Sequence, residues 1–136
     1  MIKVPPKIKV PVVIRALIIA LCCCACEPPS AAHATDNDSL YQAWQQQLSN
    51  IQLSGSGIVT KILRDDVKGS RHQRFILKVN AQQTILVAHN IDLAPRIPNL
   101  REGDTVEFYG VYEFNNKGGV IHWTHHDTRG QHQSGW

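Results

Sequence analysis

Cysteine is absent from the sequence after Cys26, and this absence excludes several kinds of chemistry. All four cysteines of the 136-residue chain lie near its start, at Cys22, Cys23, Cys24 and Cys26. The chain from Thr35 onward therefore offers no disulfide, no thiolate ligand for zinc and no cysteine nucleophile. It also lacks an HExxH zinc motif, a glycine-rich phosphate loop and a Ser-His-Asp order. These absences favour a binding function and leave catalysis uncertain.

A hydrophobic run long enough to cross a membrane is missing as well. A transmembrane helix needs about 20 apolar residues, and the run from Ala16 to Cys26 is roughly half that length. Basic residues precede this run, and Ala32-His33-Ala34 follows it. This order is typical of a secretory signal peptide over residues 1–34, so we expect cleavage before Thr35 and export to the periplasm or the medium. The alternative is a lipoprotein signal, in which lipid on Cys26 anchors the protein to a membrane.

A strong excess of one charge is also missing once this leader is set aside. The chain has 14 Lys and Arg against 11 Asp and Glu, and four of the basic and one of the acidic residues precede Thr35, which leaves ten of each sign. A neutral domain lacks the broad positive field on which non-specific nucleic-acid binding depends. We therefore expect no nucleic-acid partner.

The residues after Thr35 predict one helix. Ser39 and Gln42 have the spacing of a capping box. Apolar residues then recur at helical intervals, at Leu40, Trp44, Leu48 and Ile51. We predict an amphipathic helix over residues 39–50, and we assign residues 35–54 to this helix and a linker that ends at the glycine-rich segment 54–57.

From residue 57 onward the apolar positions alternate with a period of two, which predicts strands. Five strands are expected, at residues 57–65, 71–80, 84–90, 104–115 and 120–127. Pro95 and Pro98 exclude a long helix between the third and fourth strands. The predicted fold is mainly β, a small five-stranded OB-like barrel over residues 55–136 preceded by one amphipathic helix. An SH3-like barrel and a small sandwich are the alternatives.

Two resemblances bear on this prediction. The segment 100–110, in which Gly103 and Asp104 precede a long strand, is similar to the entry into the fourth strand of OB-fold domains. Across residues 55–136, several phrases resemble those of a bacterial family of small exported proteins classed only as a domain of unknown function: GSRHQRFIL, AHNIDLAPRI, DTVEFYGVYEFN and KGGVIHWTHHD. This resemblance implies no activity, but it makes the residues in these phrases better candidates than other surface residues.

Basic side chains gather at the start of the second strand, in the segment SRHQR at residues 70–74. The loops and strands of this region usually contact the ligand in OB domains, and guanidinium groups pair well with carboxylate or phosphate oxygens. We predict a site for an anionic or polar ligand, formed by Arg71, His72, Arg74, His89, Asn90, His122 and His126. The alternative is a solvated strand face in which the arginines pair with Asp65 or Asp66.

Histidines are concentrated in the last predicted strand, in HWTHHD at residues 122–127. On a regular strand His122 and His126 would share a face but lie about 13 Å apart, too far to bind one ion. His125 and Asp127 could share a divalent metal such as zinc, with a third ligand from another segment. In the alternative interpretation these residues have structural or solvent-facing roles.

The sequence thus predicts an exported OB-like binding module for an anionic or polar ligand, with an unknown biochemical activity. Two other functions remain open. One is a hydrolase, acting on phosphodiesters with a histidine-bound metal. The other is an envelope protein-interaction domain that docks through Tyr41 and Trp44 of the helix. Asp92 and Arg96 have the spacing of a helical ion pair, which predicts a structural role for both.

Overall fold

One helix and five strands make up the fold of residues 35–136, the part of the chain that the computed structural model describes. The helix α1 spans Asn37–Gln45, and the strands are β1 (Ile51–Ile62), β2 (His72–Lys78), β3 (Thr84–Asn90), β4 (Thr105–Glu113) and β5 (Val120–His122). The predicted signal peptide and the candidate lipidation site at Cys26 lie outside the described residues. No helix within the described range is long and apolar enough to cross a membrane.

The five strands close into a barrel in the order β1-β2-β3-β5-β4, with β4 paired to β1. β3 and β5 are parallel, and every other neighbouring pair is antiparallel. The predicted fold class, a mainly β OB-like barrel preceded by one helix, is confirmed.

The helix α1 begins and ends earlier than residues 39–50. The carboxylate of Asp36 accepts the backbone N–H of Ser39 at 3.0 Å, so Asp36 caps the helix and Ser39 lies in its first turn. The helix ends at Gln45, and Gln47 takes a positive φ of 54°. Leu48, predicted on the apolar helix face, lies beyond the end and is 41% exposed. The predicted start was wrong because Asp36, three residues before Ser39, is the N-cap and accepts a free backbone N–H of the first turn.

The strand β1 also begins earlier than predicted, at Ile51 instead of residue 57, and it includes the glycines of segment 54–57. A Cβ atom on Gly55 would collide with Leu40 of α1. One on Gly57 would lie 2.8 Å from the carbonyl oxygen of Lys78 in β2. Glycine is therefore needed here for close packing of neighbouring backbones, although in the sequence the same residues resemble a turn.

The apolar face of α1 packs on the barrel and completes its core. Leu40 and Ala43 are buried together with Val79, which follows β2, and with inward-facing residues of all five strands: Val59, Phe75, Leu77, Ile85, Val87, Phe108, Tyr112 and Ile121. The side chain of Asn37 fixes the start of the helix, because its amide donates to the carbonyl oxygens of Ser56 at 2.9 Å and Val79 at 2.7 Å. Its oxygen accepts the Ser56 N–H at 3.0 Å.

The strand β5 contains only three residues, so the prediction of a strand over residues 120–127 was wrong beyond His122. Trp123 has a φ of 56°, a left-handed conformation that interrupts the strand. The chain then forms a loop, and it returns to the barrel where the N–H of Gly135 donates to the carbonyl oxygen of His125 at 2.9 Å. The expected alternation of His122 and His126 on one strand face therefore does not occur.

Candidate functional site

The outer face of the barrel carries a recess of about 350 Å³ between β2, β3, β4 and β5. We name it the histidine recess, and its lining residues are Asp66, His72, Arg74, Ala88, Glu113, Val120 and His122. In β2 the alternate residues Gln73 and Phe75 are buried, which turns His72 and Arg74 outward. His122 reaches the same recess from β5. Two segments far apart in the sequence thus bring one guanidinium and two imidazoles together.

Arg74 supplies the permanent positive charge of the histidine recess. Its Nε–H donates to the carbonyl oxygen of Arg64 at 3.1 Å, which fixes the direction of the side chain. Within residues 35–136 its terminal nitrogens make no hydrogen bond, so they are available to a ligand.

Two carboxylates share the recess with these groups. The pKa of Asp66 is held below its ordinary value, chiefly because its carboxylate accepts the N–H of Lys68 at 3.0 Å, with further help from the charges of Arg74 and His72. Glu113 lies opposite His122, with 3.7 Å between Oε1 and Nε2. Both carboxylates limit how strongly the recess attracts anions.

The titration of His122 is governed by its partial burial. Burial lowers the pKa of this imidazole, and the nearby carboxylate of Glu113 acts in the opposite direction. Burial is the larger effect. His122 is therefore mostly neutral at pH 7, and it gains its positive charge only in more acidic solution.

A second, smaller recess of about 230 Å³ continues from the first, because His72 and His122 line both. Its other lining residues are Ser70, Asn90, Trp123 and His125. The indole of Trp123 is 37% exposed, and its centroid lies 5.3 Å from the ring of His125 and 3.8 Å from that of His132. The exposed Trp123 was not among the predicted site residues, since its position depends on the positive φ that ends β5.

Three of the predicted ligand-binding residues lie outside both recesses. Arg71 pairs with Asp92, with 2.7 Å between Nε and Oδ1. His89 is buried, and its two ring nitrogens are bonded to the hydroxyl of Thr124 at 2.9 Å and to the carbonyl oxygen of Pro95 at 3.0 Å. The side chain of His126 is exposed and lies 3.0 Å from the hydroxyl of Ser134. The structure thus groups His72, Arg74, Asn90 and His122 and separates Arg71, His89 and His126 from them.

The prediction of an Asp92–Arg96 ion pair was wrong. Asp92 accepts both the backbone N–H and the side-chain Nε–H of Arg71, and Arg96 pairs with Asp65. Residues 91–94 form a turn instead of a helix, so the side chains of Asp92 and Arg96 are not stacked one helical turn apart.

The residues predicted as metal ligands, His125 and Asp127, lie in the loop after β5. The carboxylate of Asp127 accepts backbone N–H groups from His132, Arg129 and Gln131, and these bonds lower its pKa to about 2. Nδ1 of His125 is 3.0 Å from the carbonyl oxygen of His126. Among residues 35–136 no group of three or more histidine, cysteine, aspartate or glutamate side chains is placed to hold a metal ion. Zinc binding by His125 and Asp127 stays a prediction.

Comparison with known protein families extends over most of the chain. Residues 18–136 match the model of a family described as Protein of unknown function (DUF3465). No curated protein matches the chain. The match includes the whole barrel and both recesses.

Proposed function

The chain belongs to the family of proteins of unknown function DUF3465, and we propose from its own side chains that the barrel is a binding module for a small anionic or polar ligand held in the histidine recess. The observation that carries this proposal is the convergence of His72 and Arg74 from β2 with His122 from β5 around one recess. Side chains that merely expose polar groups to water on a strand face are not expected to line one concave surface.

Arg74 is the residue best placed to contact an anionic group of the ligand. A guanidinium offers several N–H donors in one plane, which suits the paired oxygens of a carboxylate, phosphate or sulfate. The imidazoles of His72 and His122 add groups that either donate or accept hydrogen bonds. A ligand with both hydrogen-bond donors and acceptors can therefore bind to all three side chains.

The charge of the histidine recess changes with pH, and with it the kind of ligand that the recess prefers. At neutral pH the carboxylates of Asp66 and Glu113 outnumber the single guanidinium of Arg74, which favours polar groups over multiply charged anions. Acidification converts the imidazole of His122 to a cation and shifts this balance toward anions. Because burial lowers the pKa of His122, the shift occurs below the ordinary imidazole value of about 6.5.

The proposal is tested by comparing two arginine variants of the intact protein in the binding of sulfate, whose charge is constant over the relevant pH range. In Arg74→Ala we expect the dissociation constant for sulfate to rise about 10- to 100-fold, because the variant loses the hydrogen bonds between the guanidinium and a charged group. Arg71→Ala is the matched control, since Arg71 lies outside the recess and pairs with Asp92. Isothermal titration calorimetry measures both.

A second arm of the same titration varies the pH. Sulfate binding by the unmodified protein should strengthen as the pH falls below the ordinary imidazole value of about 6.5, and this gain should shrink in His122→Gln. Equal affinity of Arg74→Ala and the unmodified protein at every pH would show that the histidine recess is not the binding site.

A further inference from the structure

A third concavity, of about 570 Å³, lies between β4 and the loop that joins β3 to β4. We name it the apolar cleft. Most of its lining is hydrophobic or aromatic, with Phe75, Val87, Ile97, Leu100, Phe108 and Trp136 among the lining residues. It shares no lining residue with the histidine recess. The apolar cleft is therefore a separate place on the surface from the histidine recess.

One wall of the apolar cleft is a strand edge that can accept another strand. β4 pairs with β5 only over residues 111–113, so its first half has no β5 neighbour. The final residues of the chain cover part of this edge, because Tyr109 and Trp136 exchange both backbone hydrogen bonds, at 2.8 and 2.9 Å. The edge thus already accepts an extended segment in the manner of an antiparallel pair.

Glu107 offers the next backbone groups along this edge. In a strand the N–H and C=O groups of residues two apart point to the same side. The main-chain groups of Glu107 consequently point in the same direction as those of Tyr109, away from β1, and Glu107 lines the apolar cleft. Within the described residues they form no hydrogen bond on that side. An edge of this kind is a template for pairing with another chain.

The rim of the apolar cleft is acidic. Asp104 and Glu107 line it, and Glu102 is exposed in the turn before β4. Arg101 is the basic residue of the same turn, and its backbone N–H donates to the Asp104 carboxylate at 2.8 Å. Three carboxylates against one guanidinium favour an occupant with positive charge beside its apolar part.

We propose that the apolar cleft binds an extended, basic peptide segment of a partner protein, which adds to β4 as a short strand at Glu107. The backbone of the peptide pairs with the N–H and C=O of Glu107, and one large apolar side chain enters the cleft. Lysine or arginine residues beside that side chain face Asp104 and Glu107. A lipid or another purely apolar ligand would fill the cleft but would leave these backbone groups without partners, whereas a peptide satisfies them.

The experiment uses the peptide acetyl-Lys-Val-Leu-Val-Lys-amide and the intact, nitrogen-15-labelled protein. Hydrogen exchange of individual amides is followed by NMR with and without saturating peptide. We expect the exchange of the Glu107 amide to slow by about tenfold or more when the peptide is bound, because a hydrogen-bonded amide exchanges only when the bond opens. Peptide binding that leaves the Glu107 amide unprotected, or no binding at all, overturns the proposal.

Three controls separate backbone pairing from simple hydrophobic contact. The same peptide with N-methyl groups at alternate residues keeps its side chains but loses donors, and it should bind at least about tenfold more weakly. Replacing both lysines of the peptide by glutamate should also weaken binding. In the protein, Glu107→Lys should weaken binding of the lysine peptide, whereas the equal charge change Asp38→Lys on α1 should not. If the N-methylated peptide binds as tightly as the parent, strand addition is wrong.

Discussion

At the scale of single residues, Asp127 shows how one carboxylate can organise a loop. Three backbone N–H groups, from Arg129, Gln131 and His132, converge on it. Hydrogen bonds to the ionised form stabilise that form, which is why the pKa of Asp127 falls to about 2. The spacing of HWTHHD predicted Asp127 as a metal ligand, and in the fold its oxygens are already used by the backbone.

The low pKa of Asp127 predicts a specific pH dependence of stability. Its pKa in the folded protein, about 2, lies below the value of 3.8 for an unperturbed aspartate. The stabilisation that it provides is therefore fully present above about pH 4 and is lost as the pH falls through about 2. We expect Asp127→Asn to melt at a lower temperature than the unmodified protein at pH 7, and we expect the difference to vanish near pH 2.

Thermal unfolding followed by circular dichroism at several pH values measures this difference. Asp38→Asn serves as the control, since Asp38 is an exposed carboxylate on α1 that lies outside the Asp127 loop. A melting difference for Asp127→Asn that is equally large at pH 7 and pH 2 would contradict the assigned role of the ionised carboxylate.

Residue types in the sequence were enough to find part of the candidate site. His72 and Arg74 could be predicted because they alternate with the apolar residues of β2, and a period of two determines the side of the sheet. Trp123 and His125 could not be assigned to their recess in this way. Their positions depend on the left-handed conformation of Trp123, which residues other than glycine, asparagine and aspartate rarely adopt and which no local pattern indicates.

At the scale of secondary-structure elements, α1 is a part of the barrel core. Leu40 is completely buried and contacts the strand glycine Gly55, whereas Leu48 lies after the helix and is 41% exposed. The apolar periodicity predicted both leucines on one buried face. The helix ends too early for Leu48 to be part of it, so the two leucines form a matched pair for mutagenesis.

We expect Leu40→Ala to reduce the free energy of unfolding by about 2–5 kcal/mol, the usual cost of removing a buried leucine side chain and leaving a cavity. Leu48→Ala should change it by less than about 0.5 kcal/mol, as is usual for exposed positions. Urea denaturation followed by tryptophan fluorescence gives both values. Similar losses for the two variants would mean that α1 does not complete the core.

The early start of β1 also depends on close packing between elements that are distant in sequence. The first strand was predicted to begin only at Gly57, with the glycine-rich segment 54–57 as the boundary of the linker, because glycine is common in turns. In the fold Gly55 and Gly57 are strand residues, and their missing side chains make room for Leu40 and for the backbone of β2. Local composition cannot distinguish a glycine needed for a turn from one needed for close packing, since the neighbour that requires the space is distant in sequence.

At the scale of the whole molecule, a small barrel was predicted from the number and spacing of the strands, but the strand pairings that close it were not. β5 joins β3 over only two residue pairs and β4 over three. The residues after β5 extend this closure through backbone hydrogen bonds. Gly135 pairs with His125, and Trp136 pairs with Tyr109. Residues 128–135 are mostly polar, and nothing in their composition indicates this contact.

The last residues of the chain also connect the smaller recess with the apolar cleft, and Gly135 is the residue at which this connection can be tested. A Cβ atom on Gly135 would collide with the carbonyl oxygens of Trp123 and Tyr109. Trp123 lines the smaller recess, and Trp136, next to Gly135, lines the apolar cleft. We expect Gly135→Ala to lower the free energy of unfolding by about 1–3 kcal/mol, as overpacking does, and to shift the emission of both tryptophans.

Gly130→Asn is the control for Gly135→Ala, because nothing lies near a Cβ atom on Gly130 and asparagine tolerates its φ of 63°. If residues 128–136 hold both walls in place, Gly135→Ala weakens sulfate binding at the histidine recess and peptide binding at the apolar cleft together, since a displaced segment alters Trp136 and Trp123, and His122 next to Trp123 lines the histidine recess. Loss of stability without a change at either site would show that these residues only close the barrel. Weaker binding at both sites in Gly135→Ala would instead show that the histidine recess and the apolar cleft are coupled through the segment that closes the barrel.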